Sequence, residues 1–228
     1  MVLAVKTEAV LFDLDGTLID SAPDLLAALD HVLAGLGLPP GDPAGLREHV
    51  SRGANGILAA GLADWHDRSE AERDRLRGGL LDHYEAHCWV RSAPFEGIEP
   101  LLDELAEQGI RLGIVTNKIS RFAEPVLEGA GWSSRFGCLV TGDRVVRPKP
   151  DPEPVLAACR LLGVRPERSI FVGDDRRDVQ SGAAAGTRTV VAAWGYLPAG
   201  EQSADWQADA VIDVPSALVE LLGRPEAG

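Results

Sequence analysis

The alternation of apolar and polar positions divides the chain into three stretches. From Leu3 to Phe12 the pattern is that of a strand, and its last four residues, Ala9-Val10-Leu11-Phe12, form an unbroken apolar run suited to burial on both faces. From Asp20 to about Val90 the period becomes helical. Leu25, Leu26, Leu29, Val32, Leu33 and Leu36 make one stripe over Pro23–Leu38, which Gly37 and Pro39-Pro40 close. Ala54–Leu62 and the charge-rich Ala71–Trp89 read as further helices.

From Ile110 onward short apolar runs alternate with amphipathic segments. Strands are predicted at Arg111–Val115, Gly137–Val140, Ser169–Val172, Thr189–Ala193 and Ala210–Ile212. Helices are predicted at Pro100–Gln108, from an Asp151 N-cap and Pro152 to Gly163, and at Arg176–Ala185 before Gly186. Strands separated by helices imply right-handed crossovers and an α/β fold with a doubly wound, Rossmann-like parallel sheet. Residues 1–19 and 93–228 are expected to form this core, with 20–92 a helical insert and Ala93-Pro94-Phe95-Glu96-Gly97 the return hinge.

Charge narrows the partners. At −13 over 228 residues, the chain would be repelled by nucleic acid and by an anionic membrane surface, whereas a small anion can still be met by local positive charge. No stretch reaches the roughly 18 apolar residues of a membrane span, and the first residues lack the pattern of a signal peptide, so a cytoplasmic location is expected. Cys88, Cys138 and Cys159 are few, odd in number and far apart, as suits reduced core thiols. All five histidines lie in the insert; His83 and His87 share a helix face, where a solvated role is expected over a metal-binding one. Monomer and homodimer both stay open.

Candidate chemistry collects where strands end. Asp13 and Asp15 follow the first strand, with Gly16 able to turn the chain so that two carboxylates share one place. The string Asp13-Leu14-Asp15-Gly16-Thr17 also resembles the start of a calcium loop, but a strand precedes it and Leu18-Ile19 follow where further oxygen ligands are needed. Thr116 and Asn117 end the second core strand; Asp174, Asp175 and Asp178 follow Ile170-Phe171-Val172-Gly173; Lys149 joins from a loop. Taken singly, each has a structural explanation as a helix cap, a first-turn acid or a surface cation.

One reaction accounts for the set. A carboxylate can attack phosphorus, and since both partners are anionic the attack needs a bridging cation and fixed donors. Asp13 is then the nucleophile, Mg²⁺ is held by Asp13, the main-chain carbonyl of Asp15 and Asp174, and Thr116, Asn117 and Lys149 supply donors and charge. Asp15 is left to protonate the leaving group and to take a proton from the hydrolytic water.

These four motifs, in this order, resemble those of the haloacid dehalogenase superfamily over nearly the whole chain, and the helical insert resembles the cap of one of its subgroups. The resemblance implies an Mg²⁺-dependent phosphomonoesterase with Asp13 as nucleophile, Asp15 as acid and base, Asp174 as metal ligand and Asp178 in support. Asp175 departs from the small hydroxyl residue often found there, which leaves its contact with metal open. Asp20-Ser21-Ala22-Pro23-Asp24, Thr116-Asn117-Lys118 and Tyr196 resemble phosphoglycolate phosphatases. Arg121-Phe122-Ala123-Glu124-Pro125, the run from Lys149 to Pro154 and Ala185-Gly186-Thr187-Arg188-Thr189 more closely resemble N-acetylmuramic acid 6-phosphate phosphatases. A small phosphorylated metabolite bearing a carboxylate is thus the expected partner. Arg52, beside a helix start, either clamps that carboxylate or is an ordinary surface arginine.

A dehalogenase would use Asp13 on carbon but has no need of a metal or of Asp15. A sugar phosphomutase shares the core and stays open. A phospho-accepting receiver carries its acceptor on a middle strand and lacks such an insert.

Overall fold

A computed structural model describes residues 6–223 of the chain. In chain order the elements are β1 (Ala9–Phe12), β2 (Ile19–Asp20), α1 (Ala22–Gly35), α2 (Pro43–Leu46), α3 (Gly53–Gly61), α4 (Glu70–His87) and β3 (Ala93–Pro94). There follow α5 (Ile98–Glu107), β4 (Arg111–Val115), α6 (Ser120–Gly129), β5 (Cys138–Val140), α7 (Glu153–Leu162), β6 (Ser169–Gly173), α8 (Arg176–Ala185), β7 (Arg188–Ala192), β8 (Ala210–Ile212) and α9 (Ala217–Gly223).

Six strands form one parallel sheet in the order β5-β4-β1-β6-β7-β8. After β1 the chain builds outward through β4 and β5, then returns to the other flank of β1 with β6. The strand order reverses beside β1, and such a reversal opens a crevice at the carboxyl ends of the strands. Asp13 stands on that edge, between the ends of β4 and β6.

Side-chain alternation divides β1 between two cores. Val10 and Phe12 pack with Ile114, Val172 and the apolar faces of α5 and α6, while Leu11 packs with Val115, Phe171 and Val155 and Ala158 of α7. The sheet is therefore covered on both faces, which is why its strands read as continuous apolar runs.

Between β2 and β3 lie α1 to α4. The predicted stripe of α1 is buried against α4, whose own buried positions Leu76, Leu80 and Tyr84 recur every four residues. β2 and β3 pair antiparallel, Ile19 with Pro94 and Asp20 with Ala93, so the outgoing and returning chains are zipped together where the insert leaves the sheet. Asp24 tightens this junction: its buried carboxylate accepts the N–H groups of Val90, Arg91 and Ser92 and the Ser92 hydroxyl, at 2.7 to 3.1 Å.

Several expectations need adjustment. Of the predicted Leu3–Phe12 strand, Leu3–Val5 lies outside the described residues, and β1 begins only at Ala9, where full burial starts. Asp151 does not cap α7. Pro152 occupies that position, although the Asp151 carboxylate still accepts the Glu153 N–H at 3.0 Å. The face shared by His83 and His87 is solvated at His87, while the half-buried ring of His83 stacks between His31 and His87, at 4.4 and 4.3 Å between centroids. Burial and the two neighbouring imidazoles hold its pKa below the ordinary histidine value. The pattern also missed α6, whose internal Pro125 is a breaker signal overridden by the buried Phe122, Ala123, Val126 and Leu127.

Candidate active site

Asp13 follows β1 directly, and its N–H continues the β1–β6 ladder to the Val172 carbonyl at 2.9 Å. Its Oδ1 accepts the Leu14 N–H at 2.7 Å and lies 2.9 Å from Nζ of Lys149. Gly16 then turns the chain with φ of +89°, a conformation that suits glycine, and the tight return brings Gly16 N–H to the Ile19 carbonyl at 2.9 Å. A Cβ on Gly16 would lie 2.1 Å from Asp174 Oδ2, so the turn that aims the first two acids also makes room for the third.

Asp174 follows β6 directly, with 1% of its surface exposed. Thr17 Oγ1 donates to its Oδ1 and the Tyr196 N–H to its Oδ2, both at 2.8 Å. Burial first, then the charges of Asp13 and Asp178, push its carboxyl well above the usual range against those two donors. Asp178 is pushed up to about 7 by burial, with Lys149 pulling it back and Asp13 and Asp175 adding to the rise.

Lys149 is the positive centre of this cluster. Its buried ammonium lies 2.9 Å from Asp13 Oδ1 and 2.7 Å from Asp178 Oδ1, and donates to the Val115 carbonyl at 3.1 Å. Burial alone would lower its pKa, but Asp13 and then Asp178 outweigh it and keep the ammonium charged. Carboxylate oxygens of Asp13, Asp174 and Asp178 come within 4.8 Å of one another, the one such group among the described residues. Two of these acids are driven toward protonation and all offer hard oxygen ligands, a set that a divalent cation such as Mg²⁺ fits and would relieve.

Asp15 serves a separate network. Its carboxylate accepts Ser21 Oγ at 2.5 Å and Lys118 Nζ at 2.9 and 3.1 Å. Asp175, whose metal contact the sequence left open, is committed elsewhere: it caps α8 and forks with Arg177 at 2.7 and 2.8 Å. Asn117 is also committed, since its side-chain amide exchanges two hydrogen bonds with the main chain of Lys149. Its side chain therefore orients the lysine, a use the expected donor role did not include. Thr116 is buried at the end of β4, where its Oγ1 accepts the Lys118 N–H at 3.1 Å.

These groups floor a cavity of about 380 Å³ beneath the inserted helices. Asp13, Asp15, Thr116, Asn117 and Lys149 line it from the sheet edge, and Leu25, Leu81 and Tyr84 from the insert. Arg52 reaches it from the residue before α3, beside Ser51 and Gly53, and is exposed. Of the candidate site residues, Asp175 and Asp178 also line this cavity, and Asp174 joins them through its cluster with Asp13 and Asp178.

Sequence reasoning gave no role to Lys118, Tyr84 or Arg177. Two signals were present: Lys118 stands just beyond a strand end that already carries Thr116 and Asn117, and Tyr84 falls on the buried stripe of α4, where a phenol needs a polar partner. Arg177, whose Nη2 donates to the Ser51 carbonyl at 2.6 Å across 126 residues of sequence, left no such signal.

Asp13, beside two further acids and a buried lysine, thus stands at the switch point of a doubly wound sheet and beneath inserted helices. The chain belongs to the haloacid dehalogenase-like hydrolases, whose family profile matches residues 10–192. It is similar to the N-acetylmuramic acid 6-phosphate phosphatase of Pseudomonas aeruginosa, with 44% identity over 96% of both chains. It is also similar to the phosphoglycolate phosphatase of Xanthomonas campestris, at 40% identity over 96% of this chain and 97% of the other. The crystal structure of a predicted phosphoglycolate phosphatase from Haemophilus somnus shares the fold, with a TM-score of 0.85, 24% identity and coverage of 94% of this chain and 97% of that one.

Proposed function

We propose that the chain is an Mg²⁺-dependent phosphomonoesterase working through an aspartyl-phosphate on Asp13, with N-acetylmuramic acid 6-phosphate as leading substrate and 2-phosphoglycolate as the alternative. An Asp13 oxygen attacks phosphorus and the ester P–O bond breaks. Asp15 protonates the departing alkoxide, then takes a proton from the water that releases phosphate and frees Asp13. Lys149 fixes Asp13 and supplies positive charge beside the phosphoryl group, and Thr116 offers its oxygens a donor. Asp13, Asp174 and the main-chain carbonyl of Asp15 would hold Mg²⁺, which supplies the positive charge that lets two anions approach. Asp178 supports the set by pairing with Lys149.

The observation that carries the substrate reading is the cavity. About 380 Å³ is more than a two-carbon phosphate fills and falls in the range, about 300–1,000 Å³, of sites for larger ligands. Apolar Leu25, Leu81 and Tyr84 suit the body of an aminosugar, and Arg52 suits its carboxylate. Residues 20–92 then act as a cap over the core formed by 1–19 and 93–228, with the β2–β3 ribbon as its stem. Both named relatives support a small phosphorylated metabolite as the partner. A reducing cytoplasm suits three buried free cysteines, and no described helix is long and apolar enough to cross a membrane.

The test is phosphate release from N-acetylmuramic acid 6-phosphate, 2-phosphoglycolate and common sugar phosphates, with and without Mg²⁺. The aminosugar phosphate is expected to show the highest kcat/KM, and Asp13→Asn to abolish release from all. Preference for phosphoglycolate selects the alternative; full activity of Asp13→Asn overturns the mechanism.

A further inference from the structure

The mechanism above gives no role to Lys118 or to the hydroxyl of Tyr84, both at the cavity wall. Lys118 lies beyond the end of β4 with only 8% of its side chain exposed, and its Nζ reaches both carboxylate oxygens of Asp15. The same Nζ donates to the Tyr84 hydroxyl at 2.9 Å and lies 4.6 Å from the centre of that ring. Tyr84 comes from α4 of the insert and is itself 1% exposed. A buried phenol and a buried ammonium are therefore aligned in series behind one carboxylate, one from the insert and one from the sheet edge.

Ser21 Oγ and Lys118 Nζ both donate to Asp15, so its carboxylate is held by one residue of the insert and one beyond the end of β4. Two fixed donors hold the plane of that carboxylate in one orientation. A lysine ammonium on a four-carbon stem is mobile unless held, and here Tyr84 supplies the second anchor. We propose that Lys118 and Tyr84 are positioning residues that aim the Asp15 carboxylate at the hydrolytic water, and so govern the second half of the reaction more than the first. In that half the water oxygen bonds phosphorus, the bond from phosphorus to Asp13 breaks, and the water proton passes to Asp15. The proposal rests on the reading of Asp13 and Asp15 given above.

Rapid-quench kinetics with p-nitrophenyl phosphate separate the two halves, because its phenolate departs with little help from an acid. Lys118→Met is expected to release the first nitrophenol at the wild-type rate and then to turn over on the order of tenfold to a hundredfold more slowly, with acid-trapped phosphoenzyme accumulating. Its kcat and KM should fall together, leaving kcat/KM nearly unchanged. Tyr84→Phe, which keeps the buried ring and removes only the hydroxyl, should show the same pattern more weakly, and Lys118→Arg should recover part of the rate. Equal slowing of the first turnover and of the steady state would mean a general structural role and would overturn the proposal, as would no slowing in either variant. Asp15→Asn in the same assay separates this failure from failure of the underlying reading. If that variant accumulates phosphoenzyme while Lys118→Met does not, only the positioning role is lost; if it turns over normally, the role of Asp15 itself falls.

Discussion

Asn117 and Lys149 hold each other by two hydrogen bonds: Nδ2 of Asn117 donates to the Lys149 carbonyl at 3.0 Å, and the Lys149 N–H donates to Oδ1 of Asn117 at 2.9 Å. The amide thereby fixes the main chain from which the lysine ammonium is aimed between Asp13 and Asp178. Asn117→Ala should lower kcat by roughly a hundredfold, the effect of a displacement of about 1 Å at a catalytic group. KM should change less. A KM effect with kcat intact would instead make Asn117 a simple ligand of the substrate.

Clustering of Asp13, Asp174 and Asp178 makes the protein without metal electrostatically uncomfortable. Mg²⁺ should raise Tm by an amount that grows with the logarithm of its concentration above Kd, equivalent to about 2.7 kcal/mol at 100 times Kd. Asp174→Asn removes a ligand and one of the crowded charges, so its Tm should no longer respond to Mg²⁺. Thermal melts with Mg²⁺ and with a chelator decide the matter, and a wild-type Tm indifferent to the ion would count against the metal site.

The junction at Asp24 gives a pH signature. Burial would raise this carboxyl, but the Ser92 hydroxyl and the N–H groups of Ser92, Arg91 and Val90 outweigh it and hold its pKa below the usual value. A depressed folded pKa stabilises the fold above the unfolded value of about 3.9, and the contribution is lost as pH falls through the folded pKa. Asp24→Asn should therefore cost about 1.5–3 kcal/mol near neutrality. The gap between the two proteins should shrink in melts carried below about pH 4. A constant gap would place the effect outside ionisation.

Arg52 tests the recognition of a carboxylate. Arg52→Ala should raise KM for carboxylated substrates by roughly tenfold or more, the scale of a lost charge-assisted hydrogen bond, and leave p-nitrophenyl phosphate nearly unaffected. Equal losses on both classes would remove the clamp and leave the ordinary surface arginine.

The sequence by itself determined most strands and helices of the core, though not α6, and the kind of chemistry. β4, β8 and α8 match the predicted spans: β4 because a buried strand writes an unbroken apolar run, β8 because Ala210-Val211-Ile212 is apolar even though Val211 is exposed at the sheet edge, and α8 because it carries its cap and stop in Asp175 and Gly186. Asp13, Asp15, Asp174, Thr116 and Lys149 were readable because each follows such a run or stands in a short motif. What only tertiary structure decided was pairing: that Asn117 holds Lys149, that Lys118 and Tyr84 meet behind Asp15, that Arg177 reaches Ser51 and that Asp24 gathers the main chain 66 to 68 residues away. Local periodicity records whether a side chain is buried. It cannot record which distant group it meets, since that depends on how the sheet and the inserted helices pack.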